Sequence, residues 1–172
     1  VTGAETERDR AIIALLAYTG VRRAELRDIR VEDVEKARLR VLIRLGKGGK
    51  SRFVFYPPTV VPLLEHLING RRSGPLILNS RGQRLSVRSI NEIVAPVARA
   101  VGVSNPNPRY RNVTPHLLRH SFARNWKRSA GSLESLQKIL GHASFSTTMD
   151  LYGTESLDET NGNYAKTIES ML

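Results

Sequence analysis

The chain has 172 residues, 40% of them hydrophobic and 25% charged, with a formal net charge of +11 and no cysteine. That length fits one domain, with room for a small subdomain, and it can bury a sizeable core. The missing cysteines exclude disulfides, thiolate catalysis and cysteine–zinc sites, and no apolar run approaches the roughly 18 residues that span a bilayer.

Thr6-Glu7-Arg8-Asp9 resembles a capping box ahead of "RAIIALLAYTG", an apolar helix that Gly20 ends. "VRRAELRDI" predicts a second, short helix, and "VEDVEKARLRVLIRL" leads into a β-hairpin. In its first strand Leu39, Val41, Ile43 and Leu45 alternate with Arg38, Arg40, Leu42 and Arg44; the second strand is the aromatic and β-branched run from Arg52 to Tyr56. The connection ends in Gly-Lys-Ser, as a nucleotide-binding phosphate loop does. Such a loop needs a glycine where Arg44 stands and a helix after Ser51, where a strand is expected. The pattern therefore describes no ATP cradle, and Lys47 and Lys50 are expected near a hairpin tip.

Residues 59 to 69 predict a third helix, "GRRSGP" and "SRGQR" two turns, and "LILN" between them a short strand or extended piece. Ser86 caps "VRSINEIVAPVARAVG", inside which Pro96 predicts a kink or break. "VSNPNPRYRN" reads as a loop. "TPHLLRHSFARNWKRSA", "SLESLQKILG" and "SFSTTMDLYG" follow, all helical in pattern. The polar tail to Leu172 offers Tyr164, Ile168, Met171 and Leu172 as anchors, and Tyr18, Tyr56, Tyr110 and Tyr164 read as packing residues. The expected fold is mainly α with one small antiparallel β-sheet, an α+β arrangement.

Charge is unevenly spread along these elements. Between Lys36 and Arg128 lie 19 Lys/Arg against two acids, Glu65 and Glu92, a net of +17, while the remainder nets −6. A segment of that kind favours a polyanionic partner, which gains affinity by releasing condensed counterions. An anionic membrane surface would instead call for a basic amphipathic helix, and these basic residues fall mostly in strands and loops. Nucleic acid is the expected partner, no membrane, and an intracellular setting fits.

Several short patterns carry chemistry. In "TPHLLRH", Thr114 is a good N-cap and Pro115 suits the first helical position. His116 and Arg119 then share a face of the first turn, where orphan N–H groups already favour an anion. His116 and His120 are four apart, which raises a metal site; the zinc-protease helix, however, wants Glu where Leu117 stands, and a third ligand is not evident. No metal is expected. Arg22 and Glu25 in "TGVRRAEL" have the spacing of an ordinary surface ion pair. "ILGHASFSTTMDLYG" places His142 after a helix end and Tyr152 at the end of the next.

Together, TG-x-R-x-x-E-L, GKG in a hairpin, H-x-L-R-H, L-G-H and S-T-T-x-x-x-Y resemble the catalytic domain of the tyrosine recombinases, the phage integrases and their kin. The resemblance spans roughly residues 8 to 155. It implies the recombinase catalytic fold, with Arg22, Lys47, His116, Arg119, His142 and Tyr152 as catalytic residues. Tyr152 would be the nucleophile, Lys47 the general acid with Lys50 as runner-up, and Glu25 and His120 supporting groups that orient the arginines. Lys50, Arg52, Arg109, Arg111 and Arg124 are expected to contact DNA. The implied reaction is site-specific recombination of double-stranded DNA through a 3′-phosphotyrosine, with no ATP, metal or other cofactor. A homotetramer on paired sites and a monomer in isolation are implied, as is a cytoplasmic, nucleoid-associated or other intracellular home, with a mobile element as carrier. A type IB topoisomerase and a non-catalytic DNA-binding module with the same fold remain as alternatives.

The pattern is departed from in three places. Ala24 stands where the family often has Ser or Gly, and His142 and Tyr152 are ten apart where some members have nine. The whole of residues 1–172 is taken by the catalytic domain and a tail from 153, so the family's N-terminal clamping domain is expected to be absent, and cleavage by the domain alone to be weaker.

Overall fold

The computed structural model describes residues 4–44, 51–107, 109–110, 112–129 and 131–141. Lys47, Lys50, Arg111, His142, Tyr152, the helix expected after His142 and the tail lie outside the described residues.

Helix α1 (Glu7–Thr19) starts where Thr6 Oγ accepts a bond from the Asp9 N–H, and it ends at Gly20, whose φ of 63° is the left-handed cap. Its Ile12, Leu15 and Leu16 are fully buried because α3 (Val61–Ile68) and α5 (Pro115–Arg128) pack against it. Leu64 from α3, Val41, Ile43 and Val54 from the sheet, and Ile90 from α4 (Val87–Ala100) complete the same core. Each aliphatic side chain taken from water there contributes about 1.5 to 3 kcal/mol before entropy is counted. A second cluster, Ala123, Leu136 and Leu140 with Phe122 and Trp126, seats α6 (Leu133–Leu140) on α5.

The sheet has three antiparallel strands in the order β1 (Val34–Glu35), β2 (Arg40–Ile43) and β3 (Arg52–Phe55). The expected hairpin is present, with Val41 opposite Val54 and Ile43 opposite Arg52. Two details differ from expectation. β1 adds a two-residue edge strand, and Leu39 is excluded from β2 because its φ of 50° ends a 3₁₀ turn over Lys36–Arg38.

Other expectations shift as well. α3 begins two residues late, after a 3₁₀ turn over Pro58–Val60, and ends at Ile68. "LILN" forms no strand: the chain bends at Leu76 and Ile77, between single bridges from Pro75 to Arg30 and from Leu78 to Arg84. It is pinned by Arg71, whose guanidinium donates to the carbonyls of Leu67, Ile68, Pro75 and Leu76. Pro96 does not break α4, which runs from Val87 to Ala100. It sits on the exposed face, where water can bond the carbonyl that a proline leaves unpaired four residues earlier. Of the tyrosines, Tyr56 is buried as a packing residue, but Tyr18 and Tyr110 are exposed. Among the described residues no helix is long and apolar enough to cross a membrane.

Candidate active site

Helix α2 (Arg23–Asp28) is short, and Arg22 is its N-cap. Glu25, in the first turn, folds back to accept the Arg22 backbone N–H at 2.8 Å and its guanidinium at 2.9 Å. This is the pair expected from spacing, but it is no surface pair. The Glu25 side chain is 9% exposed, and Arg52 of β3 clamps it from the other side at 2.9 and 2.8 Å, one nitrogen to each carboxylate oxygen. Burial alone would push the Glu25 carboxyl up. Its hydrogen bonds and charge contacts with Arg52 and Arg22 outweigh that and hold it at about 2, well under its ordinary 4.5.

Helix α5 starts as its sequence predicts, with Thr114 Oγ accepting the Leu117 N–H and Pro115 at the first helical position. Arg119, 5% exposed, points inward and donates to the carbonyls of Gly20 and Leu140. Arg22 also reaches the Leu140 carbonyl, at 3.3 Å against 2.8 Å for Arg119. Two guanidinium groups from distant parts of the chain thus lie no more than about 6 Å apart, nitrogen to nitrogen. Arg52 takes the preceding carbonyl, Ile139, at 2.6 Å. The C-terminal end of α6 gathers all three because its last carbonyls lack helical partners and carry the negative end of the dipole. Gly141 follows with a φ of 62°, and His142 comes directly after it in the chain.

His116 is exposed on the first turn of α5, and its Nε2 lies 2.7 Å from Nε2 of His120. Burial, with the charges of His116, Arg124 and Arg119, lowers the His120 pKa from its ordinary 6.5. No group of three or more His, Cys, Asp or Glu side chains comes together among the described residues. Arg109 and Arg124 are exposed, as a phosphate contact requires. Arg52 departs from that expectation: its side chain is 10% exposed and spent on Glu25 and Ile139. A signal for this was present in the sequence, since strand alternation puts Arg52 on the face of buried Val54 and Tyr56.

Residues 2–157 match the model of the phage integrase family. Tyrosine recombinase XerC of Pelobacter propionicus is 36% identical over 165 residues, which cover 92% of this chain and 51% of that protein. The crystal structure of XerA recombinase superposes with a TM-score of 0.78 at 31% identity, covering 94% of this chain and 58% of the other. The XerH site-specific recombinase bound to its difH substrate gives a TM-score of 0.74 at 25% identity, over 92% of this chain and 46% of that one. The chain spans about half the length of the curated relatives it matches. With the matched residues running through both arginine-bearing segments and the fold shared with these recombinases, the chain belongs to the phage integrase family.

Proposed function

We propose that this chain is the catalytic domain of a site-specific DNA recombinase, residues 1–172 comprising that domain and a tail beyond Gly153. The observation that carries the reading is the convergence of Arg22 and Arg119 on the Leu140 carbonyl, just ahead of Gly141 in the chain. Two forks held that close can grip the non-bridging oxygens of a single phosphate and stabilise the charge that builds there as the phosphorus is attacked. A guanidinium has five N–H donors in a fixed fork, and bonds to the Gly20 and Leu140 carbonyls orient that of Arg119.

The chemistry needs a nucleophile, a base and an acid. The phenol of Tyr152, of a type with an ordinary pKa of about 10, must shed its proton as its oxygen attacks. His116, exposed on the first turn of α5, accepts that proton; His142 donates a hydrogen bond to the phosphate; Lys47 protonates the departing 5′ oxygen. The bond from the tyrosine oxygen to phosphorus forms as the phosphorus–5′ oxygen bond breaks. The ester keeps the bond energy, so religation proceeds by reversal of the same step without a nucleotide. Exchange between two duplexes breaks four strands, which suits four copies of the chain on paired sites, each supplying one tyrosine. Double-stranded DNA is the partner, reached through the basic segment and exposed side chains such as Arg109 and Arg124; the XerH structure with difH supports the same use of the fold.

The test is a nicked suicide duplex drawn by the chain from a randomised pool. A covalent protein–DNA band is expected with wild type and is lost in Tyr152→Phe while DNA binding persists. Binding without a band on any selected duplex would make the chain a non-catalytic module. Relaxation of supercoils without strand exchange would make it a topoisomerase.

A further inference from the structure

We propose that Arg52 is a positioning residue for the cleavage site, joining β3 to Arg22 through Glu25 and to the end of α6 through the Ile139 carbonyl. The inference rests on the recombinase reading and assigns a residue that this reading does not use.

The geometry leaves little slack. Glu25 Oε1 accepts from Nη1 of both Arg22 and Arg52, each at 2.9 Å. Oε2 accepts from the Arg22 backbone N–H and from Arg52 Nη2, each at 2.8 Å. A carboxylate has about four lone-pair sites, and all of them are filled, two by each arginine. Arg52 uses its remaining edge on Ile139, Nε to oxygen at 2.6 Å, so one planar group touches two other elements at once. Gly141 packs directly over it: a Cβ there would sit 2.9 Å from Arg52 Nη1. The guanidinium is therefore both the strut behind Glu25 and the floor beneath the residue that precedes His142.

Lysine cannot replace this, because an ammonium lacks the flat fork that serves a carboxylate and a carbonyl together. Without Arg52, Glu25 keeps two of its four donors in a buried place, and Arg22 loses the fixed carboxylate that aims it. The carboxyl should then become easier to protonate, since the strongest of the groups holding it near 2 has gone.

The experiment compares wild type, Arg52→Gln and Arg52→Lys in single-turnover cleavage of the selected suicide duplex at saturating protein, across pH and salt. The saturated rate of Arg52→Gln should fall on the order of ten- to a hundredfold, a scale taken from the loss of outer partners around metal ligands. Arg52→Lys should recover part of it. Both variants should bind the duplex with the wild-type affinity and salt slope, and Arg52→Gln should lose rate with falling pH more steeply than wild type. A salt slope lowered by about one, with the saturated rate intact, would make Arg52 a phosphate contact and overturn the proposal. Parallel losses of binding, rate and melting temperature without the steeper loss in acid, or unfolding of both variants, would reduce Arg52 to a fold-stabilising residue and overturn it too. Absence of a wild-type adduct would instead fail the recombinase reading itself, and the assignment of Arg52 with it.

Discussion

Replacing Glu25 by Gln tests the charge network at its centre through stability alone, with no DNA present. In the fold the carboxyl sits at about 2, against an ordinary 4.5. A group whose pKa is depressed by folding lends stability above its unfolded pKa and withdraws it as pH falls through the folded one, so the window here runs from 4.5 down to about 2. At 1.36 kcal/mol per unit, and discounted for screening through the part-exposed Arg22, the carboxylate contributes roughly 2 to 3 kcal/mol at neutral pH. The amide also strips Arg52 and Arg22 of their counter-charge, and breaking a buried pair by removing one partner costs about 3 to 5 kcal/mol. Urea denaturation of wild type and Glu25→Gln at matched pH values reads both effects. Wild type should be more stable at about pH 7, and its advantage should shrink by roughly 2 kcal/mol between about pH 5 and about pH 3. The other carboxylates titrate in both proteins and cancel in the difference. Stability curves that stay parallel across that range would refute the account, because the carboxyl would then have an ordinary pKa and no privileged partners.

Two further outcomes follow from the same geometry. Gly20→Ala should lower stability by about 1 to 3 kcal/mol in urea denaturation and slow cleavage. The residue has a φ of 63°, its added Cβ would lie 2.6 Å from Phe122, and its carbonyl helps hold Arg119; a change under about 0.5 kcal/mol would count against that. His120 binds its proton more weakly folded than unfolded, so the fold favours the neutral ring and should lose stability as pH falls through 6.5. His120→Asn should flatten that acid limb between about pH 7 and about pH 5, as followed by thermal melting.

Local signals made much of the scaffold legible, since a cap or a glycine stop acts on its own few neighbours. Thr6, Thr114 and Gly20 do in the structure what their positions in the chain predict. Tertiary decisions were less legible. β1 is two residues long and exists because β2 offers it an edge, and Pro96 is tolerated because of the face of α4 it happens to occupy. Arg52 is the instructive case. Counted as one more cation in a basic segment it resembles a DNA contact, yet the strand's period of two assigns it to the inward face, where it needs a carboxylate. Glu25 lies 27 residues earlier and was already spoken for by Arg22 at helical spacing, so no local rule joins the three.

What brings these fragments together is the spent end of a helix. Arg119 reaches Gly20 across 99 residues of chain, and Arg22 reaches Leu140 across 118. Neither separation means anything locally. α6, however, must stop somewhere, and the Ile139 and Leu140 carbonyls near its end demand donors that the helix cannot supply. Three guanidinium groups meet that demand from three different elements, and in meeting it they are fixed beside the residue that leads into His142. The backbone of α6 thus does for the arginines what Glu25 alone could not, holding like charges close together, as the proposed grip on one phosphate requires.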